Sequence, residues 1–285
     1  MVFRFGSERF GHTATLYSLP GVPFEALGAL KDVIKDICGH HELPKIYHRT
    51  IMTYGMAESA LAKKIEAWED SLPDDIHLAY LPNSLTGVRL RLSAYGESND
   101  QSTRVEAEIE RLKAIIGDII YSYEDDTLEN CIGKLLKAHG KTLSTAESCT
   151  GGLIASMLTS VAGSSEYFLG TVVSYANSVK TNVLKVDQSV IAEHGAVSAE
   201  CGIQMAEGIR KLTGSDFSIA TSGIAGPGGG SEHKPVGLVW IGVSSDKGTE
   251  AVKMIFKGDR KRNIERFASS ALNILRKKIL KDIKY

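Results

Sequence analysis

The sequence lacks the features typical of membrane-spanning and disulfide-rich proteins. No apolar run in its 285 residues approaches the roughly 20 residues that a membrane helix needs, and the N-terminus has no uninterrupted apolar segment of the signal-peptide kind. The four cysteines are widely spaced and form no C-x-x-C pair: Cys38, Cys131, Cys149 and Cys201. Such spacing fits neither a disulfide framework nor a zinc site and indicates a reducing compartment. We therefore expect a cytoplasmic protein.

The chain also lacks an excess of either charge. It carries 33 Lys and Arg against 34 Asp and Glu, a formal net charge of −1, so no global field attracts nucleic acid or an anionic membrane surface. There is no H-E-x-x-H motif and no comparable cluster of His, Asp and Glu. We expect no nucleic-acid partner, no membrane contact, no metal and no other cofactor.

The 43% hydrophobic content is enough for a sizeable core, and the length suggests about two domains. Residues 1–43 predict one strand at 13–18 and one helix at about 24–38, which is too little for a domain. We interpret them as the end of a larger unit whose beginning is absent. Residues 44–125 predict a small, split β-α-β-β-α-β domain of about 80 residues. Its strands are expected at 46–54, 76–81, 88–95 and 119–123, and its helices at 58–68 and 103–116.

From residue 126 to residue 285 the pattern changes to longer helices separated by short apolar strands, which is typical of an α/β sheet covered on both faces. The overall prediction is an α/β protein, with a C-terminal three-layer α/β sheet domain preceded by the small split domain. The last helix has the clearest apolar stripe, and its Arg276, Lys277 and Lys278 are interpreted as a solvated helix end. Strands are expected at 142–145, 171–175, 217–221, 237–244 and 250–256.

The segment TAESCTGG, residues 145–152, is the most informative stretch of the chain. A predicted strand precedes it and an apolar repeat at helical spacing follows it, so Ser148 lies in a tight turn between a strand and a helix. Backbone N–H groups and the helix dipole at such a junction suit an anionic ligand or a developing oxyanion, which makes Ser148 a candidate nucleophile. The alternative is a helix start capped by Ser148 or Thr150, with Gly151 and Gly152 serving only the backbone geometry. Cys149 is open to two interpretations, a reactive thiol or a small buried apolar group.

Three polar loops follow the predicted carboxyl ends of strands, where open α/β sheets bind ligands: 147–152, 174–180 and 222–230. The second loop places Lys180 in the first turn of a helix. The helix dipole and burial both lower the pKa of a lysine in such a position, and a neutral amine can act as a base. A solvated surface lysine is the alternative. The third loop is rich in glycine but has neither P-loop nor dinucleotide-fingerprint order.

Seven ordered motifs across about 115 residues resemble the C-terminal domain of the competence/damage-inducible protein CinA family: AESCTGG at 146–152, AGSS at 162–165, YAN at 175–177, HGAVS at 194–198, SGIAGP at 222–227, KPVG at 234–237 and GDR at 258–260. The family domain is similar to nicotinamide mononucleotide (NMN) deamidase, a serine/lysine amidohydrolase of pyridine nucleotide salvage that needs no metal. The resemblance implies Ser148 as nucleophile and Lys180 as general base, with Tyr175 as a further catalytic residue. It also implies a small-molecule nucleotide substrate and a homo-oligomer, with a dimer expected. The substrate-binding residues that it implies are Thr150, Gly151, Gly152, Asn177, Ser222, Gly223, Gly226 and Arg260.

The rest of the chain resembles other parts of full-length CinA proteins. The segment YGMAES at 54–59 looks like their KH-like linking domain, but it lacks the G-x-x-G loop that clamps nucleic acid, so RNA binding is not implied. The segment LPGVPFE at 19–25 looks like the end of a molybdopterin-binding-like N-terminal domain that is associated with ADP-ribose pyrophosphatase activity. Because most of that domain is missing, this activity is not carried over. The chain is expected to be either truncated or a natural short form.

Two alternatives to a serine amidase remain open on the sequence alone. Cys149 is a chemically reasonable nucleophile because thiolates are intrinsically very nucleophilic. A non-catalytic nucleotide-binding or interaction module would instead use the three loops only to hold a ligand.

Overall fold

The structure is a computed structural model that describes residues 2–7, 12–41, 45–83, 85–96 and 100–283. It divides into two compact units, one formed by the chain up to Tyr47 with a short segment from Tyr95, the other by the rest. In the first unit, strands β1 (Val2–Ser7) and β2 (His12–Tyr17) form an antiparallel hairpin, and helix α1 (Pro23–His40) follows. The helix starts at a proline, whose fixed φ suits the first helical position. The predicted strand and helix are both present, whereas β1 was not predicted from the polar, aromatic opening of the chain.

The β-α-β-β-α-β order predicted for the middle of the chain is confirmed. Its four strands, β3 (Ile46–Thr53), β4 (Ile76–Asn83), β5 (Gly87–Tyr95) and β6 (Ile120–Ser122), form one sheet in the order β4-β5-β3-β6. In β5 the alternate side chains Val88, Leu90 and Leu92 are buried, as expected for a sheet with one covered face. Helix α2 (Glu58–Glu69) follows β3, and helix α3 (Gln101–Ile116) follows β5.

The C-terminal part of the chain alternates helices and strands as expected for an α/β domain. A short 3₁₀ turn, Ser164–Glu166, precedes its second strand. The elements are α4 (Leu128–Ala138), β7 (Leu143–Glu147), α5 (Leu153–Thr159), β8 (Phe168–Val173), α6 (Asn177–Asn182), α7 (Gln188–His194), α8 (Ala199–Thr213), β9 (Phe217–Gly223), β10 (Leu238–Ser245), β11 (Gly248–Ile255) and α9 (Arg260–Ile283).

The five strands of this domain form one mixed sheet in the order β11-β10-β9-β7-β8. Strand β7 is central among the parallel strands and pairs with β8 on one side and β9 on the other, whereas β10 and β11 are antiparallel. The chain therefore passes from β7 to β8 on one side of β7 and later enters β9 on the other side. Such a topological switch point opens a crevice at the carboxyl ends of the strands. The three predicted polar loops leave the ends of β7, β8 and β9 and so share this edge.

Helices cover both faces of the five-stranded sheet, which confirms the predicted three-layer architecture. On one face, buried side chains of α4, α5 and α9 pack against the strands in one large apolar cluster. On the other face, α8 contributes Cys201, Met205, Ala206 and Ile209 to a second cluster. Helix α8 approaches β10 so closely that a Cβ added at Gly242 would lie 2.1 Å from the Gly202 carbonyl oxygen. A larger residue at position 242 would therefore force α8 away from the sheet.

The last helix, α9, is buried on more than its apolar stripe. Its apolar stripe is buried as predicted, for example at Phe267 and Leu275, with Ile264 only partly buried. The prediction of a solvated basic end is wrong for Arg276 and Lys278, which are only 7% and 8% exposed. Lys278 Nζ lies 3.3 Å from the buried carboxylate of Asp282, and this pairing compensates the burial of its charge. Among the described residues, no helix combines the length and apolarity needed to cross a membrane.

Candidate active site

The turn after β7 carries Ser148 at the junction of a strand and a helix, as the sequence predicted. Gly151 and Gly152 have φ values of 62° and 99°, which glycine adopts without steric cost. Ser148 is 9% exposed, and its amide N–H donates to the Thr221 carbonyl at 3.0 Å. This hydrogen bond anchors the serine to the end of the neighbouring strand β9.

The start of α5 is capped by a side chain that precedes the turn. Glu147 is fully buried, and neither Ser148 nor Thr150 acts as a side-chain cap. The interpretation of the segment as a helix start capped by one of those two hydroxyls is therefore wrong. The Glu147 carboxylate accepts four hydrogen bonds, from the Thr150 hydroxyl (2.7 Å) and from the amide N–H groups of Gly152 (2.9 Å), Ile154 (3.1 Å) and Ala155 (2.8 Å).

Most of the amide N–H groups in this turn already have acceptors. Gly151 donates to the Ser148 carbonyl at 3.2 Å, and Leu153 donates to the Thr150 carbonyl at 3.1 Å. Within the part of the chain that the structure describes, only Cys149 and Thr150 have amide N–H groups without an acceptor between positions 148 and 155. Two adjacent free donors directly after a serine are candidates for binding an oxyanion.

Lys180 lies in the first turns of α6 and is only 1% exposed, so the alternative of a solvated surface lysine is wrong. Its Nζ is 3.1 Å from the Ser148 Oγ, 2.6 Å from the Ser174 carbonyl oxygen and 3.4 Å from the Tyr175 carbonyl oxygen. Burial lowers the pKa of Lys180 from its usual 10.5. A neutral amine has two N–H groups, which match the two carbonyls, and one lone pair, which is then left for the Ser148 hydroxyl proton.

A cavity of about 190 Å³ opens at this edge of the sheet. Tyr175 and Arg260 are joined there, because Arg260 Nη2 lies 3.3 Å from the Tyr175 hydroxyl. Arg260 Nη1 also donates to the Gly226 carbonyl at 2.8 Å, which ties the start of α9 to the glycine loop. The cavity is lined by Ser148, Cys149, Tyr175, Asn177, Lys180, Ala196, Val197, Ser222, Gly223, Ala225 and Arg260.

The walls of the cavity are held by side-chain hydrogen bonds to backbone carbonyls. The Ser222 hydroxyl donates to the Ala196 carbonyl at 2.6 Å, and Asn263 Nδ2 donates to the Ala225 carbonyl at 3.0 Å. Asp259 Oδ1 accepts from the Arg262 amide at 2.8 Å and so caps α9. Because the acceptors lie on loops far apart in sequence, these bonds fix the loops relative to each other.

Comparison with known proteins places the chain in a family. The family model of the CinA C-terminal domain matches residues 125–279, more than half of the chain. The chain belongs to the CinA family. A second model, the damage-inducible protein CinA KH domain, matches residues 48–122.

Relatives in the CinA family are similar over most of this chain but are longer. CinA-like proteins of Cytophaga hutchinsonii and Flavobacterium psychrophilum are 43% and 45% identical over 269 and 268 residues, which is 94% and 93% of this chain. The matches cover 64% of each relative, so the chain spans less than two thirds of their length. Among solved structures, the competence damage-inducible protein A of Klebsiella pneumoniae is similar with a TM-score of 0.52 and 38% identity, over 54% of this chain and 95% of that protein.

The structure brings together most of the site residues that the CinA resemblance implies. Those that line the cavity are Ser148, Tyr175, Asn177, Lys180, Ser222, Gly223 and Arg260. The others, Thr150, Gly151, Gly152 and Gly226, do not line it. The Thr150 hydroxyl bonds to Glu147 and Thr221 instead, and the Gly152 amide is occupied by Glu147. Gly226 contributes its carbonyl to Arg260 and acts on the cavity only through that residue.

Cys149 lines the cavity next to Ser148 but is 6% exposed and belongs to the large apolar cluster. Burial raises the pKa of its thiol to about 12. At neutral pH the thiolate population is therefore negligible, and the thiolate is the nucleophilic form. Of the two sequence interpretations of Cys149, this environment favours the small buried apolar group.

Sequence reasoning missed two polar residues that organise this CinA-family site. Glu147 was read as part of a motif but given no role, although a carboxylate at the end of a strand just before a helix start is a recognisable signal. Asn263 was not singled out at all. Asn263 lies in the first turn of α9, but its partner Ala225 is 38 residues away and cannot be predicted from local pattern.

Proposed function

We propose that this chain hydrolyses the carboxamide of NMN to nicotinate mononucleotide and ammonia, with Ser148 as nucleophile and Lys180 as general base. The observation that carries the proposal is the 3.1 Å contact between the Lys180 Nζ and the Ser148 Oγ in a buried, cavity-lining position. A serine hydroxyl becomes a useful nucleophile only when an adjacent base removes its proton. The buried amine, with its lowered pKa, supplies that base.

In the first half of the reaction, Ser148 Oγ attacks the carboxamide carbon while neutral Lys180 accepts the hydroxyl proton. The tetrahedral intermediate carries an oxyanion, for which the Cys149 and Thr150 N–H groups are the available donors. Lys180 then passes its proton to the amide nitrogen, the C–N bond breaks and ammonia leaves. The product is an ester between Ser148 and the nicotinoyl group.

In the second half, water repeats the sequence on the ester. Neutral Lys180 takes a proton from the water as it attacks the ester carbon, and the same two N–H groups face the second oxyanion. Lys180 returns the proton to Ser148 Oγ as the ester bond breaks, which frees nicotinate mononucleotide. Dividing one difficult hydrolysis into two steps through a covalent ester lowers the barrier of each.

Arg260 is proposed to recognise the nucleotide part of the substrate, and Tyr175, which the family resemblance implies as a catalytic residue, is proposed to orient Arg260. The Arg260 guanidinium is the cation at the cavity that is not needed for proton transfer, and it is preorganised by the Gly226 carbonyl and the Tyr175 hydroxyl. A guanidinium binds phosphate oxygens in pairs, so it suits the 5′-phosphate of NMN. We further propose that Asn177, Ser222 and Gly223 contact the ribose or the ring, because they line the same cavity as Lys180 and Arg260.

The proposal is tested by measuring ammonia release from NMN with purified wild-type chain and with Ser148→Ala. The wild type is expected to release one ammonia per nicotinate mononucleotide, and Ser148→Ala to fall to background. Incubation with substrate followed by rapid acid quench is expected to add the nicotinoyl nucleotide mass to Ser148 in the wild type only. Binding of NMN without ammonia release would instead favour the non-catalytic nucleotide-binding module.

The cellular location and the oligomeric state of the protein belong to the same proposal. All four cysteines are free, which supports a reducing, cytoplasmic location. A homodimer is proposed on the family resemblance, and light scattering of the purified chain measures it directly. A monomer with full activity would remove the dimer from the proposal without affecting the chemistry.

A further inference from the structure

Glu147 lies directly before the proposed nucleophile and has a carboxylate that is fully buried. One oxygen, Oε2, accepts from the Thr150 hydroxyl and from the Gly152 and Ile154 amides, while Oε1 accepts from the Ala155 amide. No lysine, arginine or histidine side chain forms an ion pair with it among the described residues. Its negative charge is therefore balanced by hydrogen-bond donors of the turn and of α5.

The Glu147 contacts divide the donors of the turn into two groups. Gly152, Ile154 and Ala155 direct their N–H groups to the carboxylate, which leaves the amides of Cys149 and Thr150 as the free pair beside Ser148. The Thr150 hydroxyl extends the network to the Thr221 hydroxyl at 2.7 Å. Thr221 also accepts the Ser148 amide through its carbonyl. The carboxylate thus connects the helix start, the turn and strand β9.

We propose that Glu147 is the positioning residue of the site: it holds the turn 148–152 in the shape that presents the Cys149 and Thr150 N–H groups to an oxyanion. The inference rests on the proposed function, since an oxyanion arises only if Ser148 attacks a carbonyl. Glu147 does not line the cavity in which the substrate is proposed to bind. It acts through the turn, so its loss lowers the rate of the chemical step and leaves substrate binding nearly unchanged.

The size of the effect follows from the number of hydrogen bonds removed. Glu147→Gln has the same shape. With its carbonyl oxygen in the place of Oε2, the glutamine keeps the three hydrogen bonds from Thr150, Gly152 and Ile154. Its NH₂ group then faces the Ala155 N–H, which loses its acceptor. Glu147→Ala removes all four acceptors. Because loss of one oxyanion donor costs about 10²–10³ in kcat, we expect kcat to fall about tenfold in Glu147→Gln and at least about a hundredfold in Glu147→Ala, with KM for NMN within about threefold of wild type.

Asp216 provides a matched control for general loss of stability. It accepts three hydrogen bonds, from Lys141 Nζ (2.8 Å) and from the amide and hydroxyl of Thr142 (2.9 and 2.8 Å), at the opposite edge of the same sheet. Asp216→Ala therefore removes three hydrogen bonds around a carboxylate that is 35% exposed, at the end of the strands away from the turn. It is expected to lower the melting temperature and to leave kcat unchanged when the assay is run well below that temperature.

The experiment measures kcat, KM and melting temperature for these variants, and amide hydrogen exchange of the 148–155 segment. Faster exchange at Gly152, Ile154 and Ala155 in Glu147→Ala, together with the graded loss of kcat, supports the inference. An active wild type with kcat retained above one half in Glu147→Gln and Glu147→Ala would overturn it, as would an equal loss of kcat in Asp216→Ala.

If the wild type releases no ammonia from NMN, the proposed function fails, and hydrogen exchange alone decides this inference. Unchanged exchange at Gly152, Ile154 and Ala155 in Glu147→Ala then overturns it. Accelerated exchange at those three amides, with the Asp216→Ala variant unchanged there, retains Glu147 as the residue that shapes the turn for whatever reaction Ser148 serves.

Discussion

Replacement of Lys180 by methionine tests the proposed base most directly. Methionine has similar length and no proton-accepting nitrogen, so Lys180→Met removes the group that lies 3.1 Å from the Ser148 Oγ and leaves the buried space filled. It also removes the hydrogen bond to the Ser174 carbonyl at 2.6 Å. The cavity residues that contact the substrate in the proposal stay in place, so the change is confined to proton transfer.

The expected loss is 10²–10⁴-fold in kcat, the usual contribution of a positioned general base, which corresponds to about 3–5 kcal/mol of barrier. One residue performs every proton transfer in the proposed cycle, so we expect the upper part of this range. The double variant Ser148→Ala/Lys180→Met should be little worse than either single variant, because the two groups act as one unit.

The pH dependence of the wild type gives a second readout. Lys180 must be neutral to act as a base, so kcat/KM should fall as pH decreases through its pKa. Burial lowers that pKa from 10.5, which places this acid limb below 10.5. Lys180→Met should lack the limb and show residual activity that does not depend on this ionisation.

The same pKa shift predicts how stability changes with pH. The unfolded chain binds a proton at Lys180 up to about pH 10.5, whereas the folded chain releases it at lower pH because burial lowers the pKa. Between these two pKa values the unfolded state holds more protons, so the free energy of unfolding of the wild type rises with pH relative to Lys180→Met. The difference between the two proteins should stop changing above about pH 10.5.

Ammonia release, followed by a coupled assay between pH 6 and 10.5, measures the first readout. Urea unfolding over the same range and on to about pH 11.5 measures the second, including the plateau. Lys141→Met is the control. Lys141 Nζ lies 2.8 Å from the Asp216 carboxylate, and this ion pair is away from the cavity. Lys141→Met should retain wild-type kcat. A Lys180→Met enzyme with more than about a tenth of the wild-type rate, or with the acid limb intact, would refute Lys180 as the base.

Four further predictions concern other parts of the chain. Arg260→Ala should raise KM for NMN at least about tenfold, as expected for loss of a charge-assisted phosphate contact, and an equal loss of kcat/KM on phosphate-free nicotinamide riboside would contradict phosphate recognition. Cys149→Ala should keep most of kcat in the ammonia assay because burial holds the thiol protonated, whereas abolished turnover would favour a cysteine amidase. Turnover should persist in a chelator, and activity lost there but restored by zinc would show a metal requirement. Gly242→Ala should lower thermal stability by about 1–3 kcal/mol, because the new Cβ would meet the Gly202 carbonyl at 2.1 Å, and an unchanged melting temperature would refute that packing argument.

Local pattern was a good guide to the elements that position the site. The strand predicted at 142–145 and the helical repeat after Ser148 correctly located β7, the turn and α5. The helical repeat is a reliable signal because its period records which face of the helix is buried. The shared edge of the three loops also followed from local pattern, since ligand loops leave parallel strands at their carboxyl ends. The unpredicted strand β1 shows the limit of this approach, because the alternation of Phe3 and Phe5 with Arg4 is too short to be a distinct strand signal.

The sequence by itself determined the order of the elements and which residues are available for chemistry. These residues are the serine at a strand-to-helix turn and the lysine at a helix start, whose role came from motif resemblance. Only the tertiary structure decided which of them meet. Ser148 and Lys180 are 32 residues apart, and Tyr175 and Arg260 are 85 apart, so their contacts depend on β7 lying between β8 and β9. The fold also decided that Lys180 is buried and that Glu147 occupies the donors at the start of α5. The physical reason is that backbone torsions and side-chain periodicity are local, whereas burial, pKa and hydrogen-bond partners depend on which distant segments exclude water from the same place.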